Sequence, residues 1–167
     1  MTAIGLDPSL RSLGLACPTG TLAVVPRNGV IGLARLRHLT DVVLAYAYAN
    51  DAALVVIEGF LPAKAQAGVH ERGGLWWRLV DQIEAADFPI ATVTPGTLKM
   101  YATGKGNAGK DAMLLAAARR FDWFDGGNDE SDALWLAAIG AELLGHPIVD
   151  MPTRNREALA GDRVTRI

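Results

Sequence analysis

The spacing of apolar positions switches between two regimes along the chain. Thr2 to Leu6, Leu13 to Ala16 and Thr21 to Val25 are short apolar runs separated by Asp7-Pro8-Ser9 and Pro18-Thr19-Gly20. Runs of this length bounded by turn residues predict three strands in a meander. From Gly32 to Tyr48 the period lengthens, and Leu33, Leu36, Leu39, Val43 and Tyr46 or Ala47 fall on one helical face. Ala53 to Ile57 is a β-branched apolar run, which predicts a buried strand ending on Glu58-Gly59. After a Gly-containing loop, Leu75, Leu79 and Ile83 predict a helix from Leu75 to Ala86, and Ile90 to Val93 reads as a last strand. Thr94-Pro95 has the chemistry of an N-cap and first helical residue for a helix over Gly96 to Ala102. A glycine-rich loop, Thr103 to Gly109, precedes helices expected from Lys110 to Phe121 and from Asp129 to Leu144. Residues 150–167 lack periodicity, carry Pro152 and four arginines, and read as a C-terminal tail.

Strands in a meander, then strands alternating with helices, predict an α/β fold. The expectation is one mixed five-stranded sheet with helices on both faces, in a single domain over 1–149. A chain of 167 residues, half of them hydrophobic and 20% charged, has the size and composition of one globular domain. The longest apolar stretch, Ala133 to Ala141, falls well short of the roughly 20 residues that span a bilayer. Met1 leads straight into the first strand with no basic and apolar leader, so no signal peptide, no membrane partner and a cytoplasmic location are expected. The single cysteine, Cys17, excludes an internal disulfide and reads as a small core residue at a strand end.

Charge sharpens the picture. The net charge of −2 argues against a sequence-blind coat for nucleic acid. Between residues 94 and 120, however, Lys99, Lys105, Lys110, Arg119 and Arg120 face only Asp111, a local excess of four positive charges. That is the footprint a phosphate backbone requires, and equally what a solvated helix face and loop would show.

Four carboxylates carry the candidate chemistry. Asp7 follows Ala3-Ile4-Gly5-Leu6 and is either a turn cap or a metal ligand. Glu58 directly follows five apolar residues, where a desolvated carboxylate needs a cation: a metal, or a side chain such as Arg11 or Lys64. Asp129 and Asp132 are three apart in a predicted first helical turn and share a face. Acids there compensate the helix dipole, with Asn128 available as cap. Asp132 nevertheless stands in line with Leu136, Ile139 and Leu143, the stripe that must pack on the sheet, whereas Glu130 points elsewhere. In open α/β sheets, ligands bind beyond the carboxyl ends of strands where the strand order reverses. Asp7 and Glu58 both occupy such ends.

Four converging acids suit hard divalent ions, Mg²⁺ or Mn²⁺, rather than zinc. His38, His70 and His146 lack ligand spacing. Two such ions about 3.5–4 Å apart would clamp the attacking and leaving oxygens of an in-line phosphodiester displacement. Gly104 to Lys110 fits the G-x4-G-K half of a nucleotide-binding loop, but Asp111 stands where the Mg²⁺-binding hydroxyl belongs, and no buried strand leads into the glycines. The same loop suits DNA phosphates, met by backbone amides and lysines.

Four segments in order together resemble the RuvC family of Holliday junction resolvases, which have a ribonuclease-H-like fold. GLDPSLRSLGLA (5–16) looks like that family's first strand and turn, and VVIEGF (55–60) like the strand ending in its catalytic Glu. TPGTLKMYATGKGNAGKDAM (94–113) is similar to its basic helix–loop–helix, and NDESDALWLAA (128–138) to its D-x-x-D-A-L helix. The resemblance implies a homodimer that nicks a four-way DNA junction using Mg²⁺. It implies catalytic, metal-holding roles for Asp7, Glu58, Asp129 and Asp132. Lys99, Lys105 and Lys110 would engage phosphates, with Lys110 nearest the scissile one. Two departures stand out. Gly59 follows the Glu where the family usually has Gln, with Phe60 as the aromatic that either stacks on a base or is core. Residues 62–78, over much of the family's dimer surface, are only loosely similar.

The expectation is therefore a Mg²⁺-dependent endonuclease for branched DNA, four-way junctions first, with two ions per site. Flap or fork cleavage, or ribonuclease H action on RNA–DNA hybrids, are the alternatives on the same site. A non-catalytic DNA-binding module would not need four acids, and an actin-like or sugar-kinase ATPase needs two lobes. The adjacent Trp76 and Trp77 point about 100° apart on a helix, so at least one is expected to face outward.

Overall fold

The computed structural model describes residues 1–60 and 68–167. Its single sheet is built from β1 (Thr2–Asp7), β2 (Leu13–Cys17), β3 (Gly20–Val24), β4 (Ala52–Glu58), β5 (Ile90–Val93) and β6 (Val164–Arg166). Their order is β3-β2-β1-β4-β5-β6. β1, β4 and β5 run parallel, while β2, β3 and β6 pair antiparallel with their neighbours. The helices are α1 (Gly32–Ala49), α2 (Val69–Ala85), α3 (Pro95–Thr103), α4 (Lys110–Arg120), α5 (Asn128–Leu143) and the short α6 (Thr153–Arg156).

The period-two alternation of the strands sorts their side chains into two cores. Ile4, Leu6, Leu13, Leu15, Val55 and Ile57 pack beneath α1 and α2, with Leu36, Leu39, Val43, Leu75, Leu79 and Ile83. Ala3, Ala16, Leu54, Val56, Ala91 and Val93 face the other way, toward α3, α4 and α5. The second face is lined by small residues on β1, so α5 lies close against the sheet. A Cβ on Gly5 would overlap the Ala133 carbonyl, and one on Gly140 would meet Ala3 and Val56. With the sheet beneath and α4 above, α5 is buried from Ala133 through Ala141. Trp135 at its centre is fully enclosed and donates its indole N–H to the Met113 carbonyl at 3.3 Å.

Three expectations change. The sheet has six strands, not five, because the segment read as a tail folds back onto the body. Val164 to Arg166 pair with β5, and Met151, Asn155 and Ala158 are buried. A three-residue strand and a four-residue helix are too short to show a period, which is why the pattern missed them. The second helix begins at Val69 rather than Leu75, its first turns crossing Gly73 and Gly74, residues of low helix propensity. The last long helix is preceded by Gly127, not Asn128, at its N-cap. Among the described residues, no helix is long and apolar enough to cross a membrane.

Candidate active site

β1 and β4 are neighbours at the point where the strand order reverses, with Leu6 level with Ile57. Parallel pairing therefore brings Asp7 and Glu58, the next residue on each strand, side by side at the sheet edge. Asp7 is not the turn cap. Ser9 Oγ accepts the backbone N–H groups of Arg11 and Ser12, both at 3.3 Å, and closes the reversal into β2. The Asp7 carboxylate forms no ion pair or side-chain hydrogen bond among the described residues.

The second pair of acids arrives on α5. Gly14 of β2, level with Asp7 in the antiparallel ladder, abuts the backbone carbonyl of Asp129. The N-terminal turn of α5 thus lies over the end of β1, bringing Asp129 and Asp132 to the same edge, both half-buried. Glu130 secures this end. Its Oε2 accepts the Gly127 N–H at 2.9 Å, and its Oε1 accepts the Thr21 hydroxyl at 3.1 Å. Leu136 and Ile139, in line with Asp132, have no exposed surface.

The electrostatics report the convergence. Burial, then Glu58, Asp132 and Asp129 in turn, raise the Asp7 carboxyl well above the usual carboxylate range, against a lowering by Lys110. Burial and then Asp132 push Glu58 up to about 7, with Lys99 and Lys110 opposing. Burial pushes Asp132 to about 6, Lys110 opposing more strongly than Asp129 reinforces. Three carboxyls that resist ionisation together are what excess negative charge in a desolvated edge produces. Arg11 is exposed and forms no ion pair with Glu58, and Lys64 lies outside the described residues.

Lys99 on α3 and Lys110 at the start of α4 are near enough for their charge to be felt by Glu58 and Asp132. Lys105 is not among them. It is exposed, on the loop between those helices, and lines a separate groove with Arg119, Arg120 and Asn155. Among the described residues, no three carboxylate, imidazole or thiolate side chains already meet at one point as a formed metal cage. The donor set nevertheless fits a hard divalent ion, since acidic oxygens gather at this edge and, among the described residues, no ion pair neutralises them.

Sequence reasoning did not anticipate the role of Trp76. Its indole N–H donates to the Glu58 backbone carbonyl at 2.9 Å, tying α2 to the end of β4. Trp76 and Phe60 share a cavity of about 170 Å³ with Pro8, Glu58, Arg72 and Pro95. The Phe60 ring stands over Gly73 of α2. Trp77, one step on, is 66% exposed. The signal available was the tandem pair itself, which sends one indole inward and one outward.

No family profile matches the chain. It is 29% identical over 149 residues to the crossover junction endodeoxyribonuclease RuvC of Anaeromyxobacter dehalogenans (strain 2CP-C), covering 82% of this chain and 78% of that one. A protein of the same name from Anaeromyxobacter sp. (strain Fw109-5) is 28% identical over 198 residues, covering 98% and 95%. Among solved structures, Thermus thermophilus RuvC superposes with a TM-score of 0.69 at 18% identity, over 91% of this chain and 100% of that one. T. thermophilus RuvC in complex with a Holliday junction substrate gives 0.74 at 17% identity, over 91% and 99%. The chain has the RuvC fold, and its sequence resembles that family across most of its length.

Proposed function

We propose that this chain is a divalent-metal-dependent endonuclease that nicks branched DNA, with the four-way junction as its first substrate and Asp7, Glu58, Asp129 and Asp132 as the ion-holding residues. One observation carries the reading. The carboxyl ends of β1 and β4 and the first turn of α5 bring four acids to one sheet edge, under the charge of Lys99 and Lys110. The names of the similar proteins, and the junction bound to one of them, support the substrate class.

With two Mg²⁺ or Mn²⁺ ions bound, the site would gain an activated water and charge stabilisation for a leaving 3′-oxygen. The chain's own residues do the rest. The four carboxylates would hold the cations, whose charge would relieve the carboxylates' mutual repulsion. Lys110 would approach the scissile phosphate and Lys99 would engage phosphates next to it, while Lys105, in its separate groove, would meet the backbone farther along. Phe60, which lines the cavity beside Glu58, would contact a base.

Symmetric nicking of a junction requires two sites related by a two-fold axis. A homodimer is therefore part of the proposal, supported by the exposed Trp77 on α2, since aromatics are enriched in interfaces. End-labelled junction, flap, fork, duplex and RNA–DNA hybrid substrates incubated with Mg²⁺ test the proposal. Preferential cutting of the junction is expected. Preference for flaps or forks moves the substrate while keeping the site, and preference for hybrids replaces the reading with ribonuclease H.

A further inference from the structure

The basic helix α3 is held from the far end of the chain. It ends at Gly104, which takes a left-handed φ of 75° and donates its N–H to the Met100 carbonyl at 2.8 Å. A helix end leaves its last carbonyls without intrahelical donors, and buried ones must find partners elsewhere. Tyr101 has no exposed surface, and its carbonyl accepts a hydrogen bond from Asn155 Nδ2 at 2.6 Å. Asn155 is itself only 7% exposed. Its Oδ1 lies 3.7 Å from where a Cβ on Gly104 would stand, so the amide covers the helix terminus and the loop's first residue together.

The segment carrying Asn155 is anchored on both sides. Met151 and Ala158 are buried in the same core as α3 and α5. Arg156 pairs with Glu142 of α5 at 3.2 Å, and Arg120 of α4 donates to the Asp150 carbonyl at 2.9 Å. The lysines are wired to the same helix turn. Thr103 Oγ1 donates to the Lys99 carbonyl at 2.8 Å and accepts the Lys105 N–H at 3.2 Å. The carbonyls of Lys99, Met100 and Tyr101 are thus met in succession by Thr103, Gly104 and Asn155.

We propose that Asn155 is a positioning residue for DNA binding: its amide fixes the last turn of α3 and, through it, the presentation of Lys99 and Lys105 to the phosphate backbone. The proposal rests on the reading that these two lysines meet DNA. Lys99 lies on α3 itself and Lys105 on the glycine-rich loop that leaves it, so the presentation of both is set by where α3 ends, and that end is closed by a residue outside the helix.

The test is a double-mutant cycle on junction affinity, read by fluorescence anisotropy across a salt series. It compares wild type, Asn155→Ala, Lys99→Ala/Lys105→Ala and the triple variant, each checked for folding by circular dichroism. Asn155→Ala is expected to weaken binding several-fold and to flatten the salt dependence by about one phosphate contact. Added to the lysine pair, it should cost nothing further, because its effect passes through those lysines. Asn155→Leu, close in size, uncharged and without the donor, makes the same comparison if the alanine variant does not fold. An additive loss in the triple variant, or an unchanged salt slope, overturns the proposal while leaving the lysine reading intact. Wild-type affinity in the lysine pair overturns that reading and the proposal with it.

Discussion

Gly14 and Asp129 touch through their backbones: a Cβ on Gly14 would overlap the Asp129 carbonyl oxygen. Because Gly14 is level with Asp7, this contact sets how close the acids of α5 come to the acids of the sheet.

Gly14→Ala should therefore push the start of α5 outward, a strain of about 1–3 kcal/mol typical of overpacking. On a chain of this size each kcal/mol lowers the melting temperature by about 2–4 °C. Junction cleavage should fall more steeply than stability, measured at a temperature where the variant is still folded. Full activity at reduced stability would show that this approach does not govern the site.

Asp132→Asn should abolish cleavage while junction binding survives or strengthens, since one repulsive charge near the phosphates is gone. The same substitution should shrink the rise in melting temperature that Mg²⁺ or Mn²⁺ gives the wild type, by the linkage of ligand binding to stability. Thermal melts with and without metal decide it. An undiminished metal response would remove Asp132 from the ion-holding set.

The pH dependence has a definite sign. Burial first, and then Asp132, raise Glu58 to about 7, so the folded protein holds this proton more tightly than the unfolded chain does. The stability contributed is fully present below the ordinary carboxylate range and is lost as pH rises through about 7. Without metal, the melting temperature of Glu58→Gln should fall less than that of wild type between about pH 5 and pH 8. Stabilisation by Mg²⁺ should grow over that window, because the ion binds the ionised carboxylates. A steeper fall in Glu58→Gln than in wild type would contradict the assigned shift.

Much of this site is legible in the amino-acid pattern alone. Asp7 and Glu58 end apolar runs, and parallel strands deliver their last residues to one edge. Asp132 stands in register with Leu136 and Ile139, which marks it as facing the sheet. The choice between turn cap and free carboxylate at Asp7 is not legible there, because it depends on Ser9 closing the turn instead. Trp76 is hidden for a similar reason: its partner is a backbone carbonyl, which leaves no mark on the side-chain pattern. The C-terminal segment escapes because burial of single residues such as Met151 and Asn155 has no period.

Trp76→Phe keeps an aromatic ring and removes the N–H that holds the Glu58 carbonyl. A lost hydrogen bond of this kind costs about 1 kcal/mol of stability. The expected signature is a lower cleavage rate with junction affinity unchanged, read in single-turnover assays. A fall in affinity with no change in rate would assign Trp76 to DNA contact instead.

The most direct measurement is cleavage of a four-way junction labelled on each strand in turn, with Mg²⁺ and with chelator. Wild type is compared with single Asn or Gln variants of Asp7, Glu58, Asp129 and Asp132. Wild type should give paired nicks on two opposing strands in Mg²⁺ alone, and none of the four variants should give any. Cutting in chelator, or cutting by a variant at the wild-type rate, would contradict the metal site proposed for these four acids.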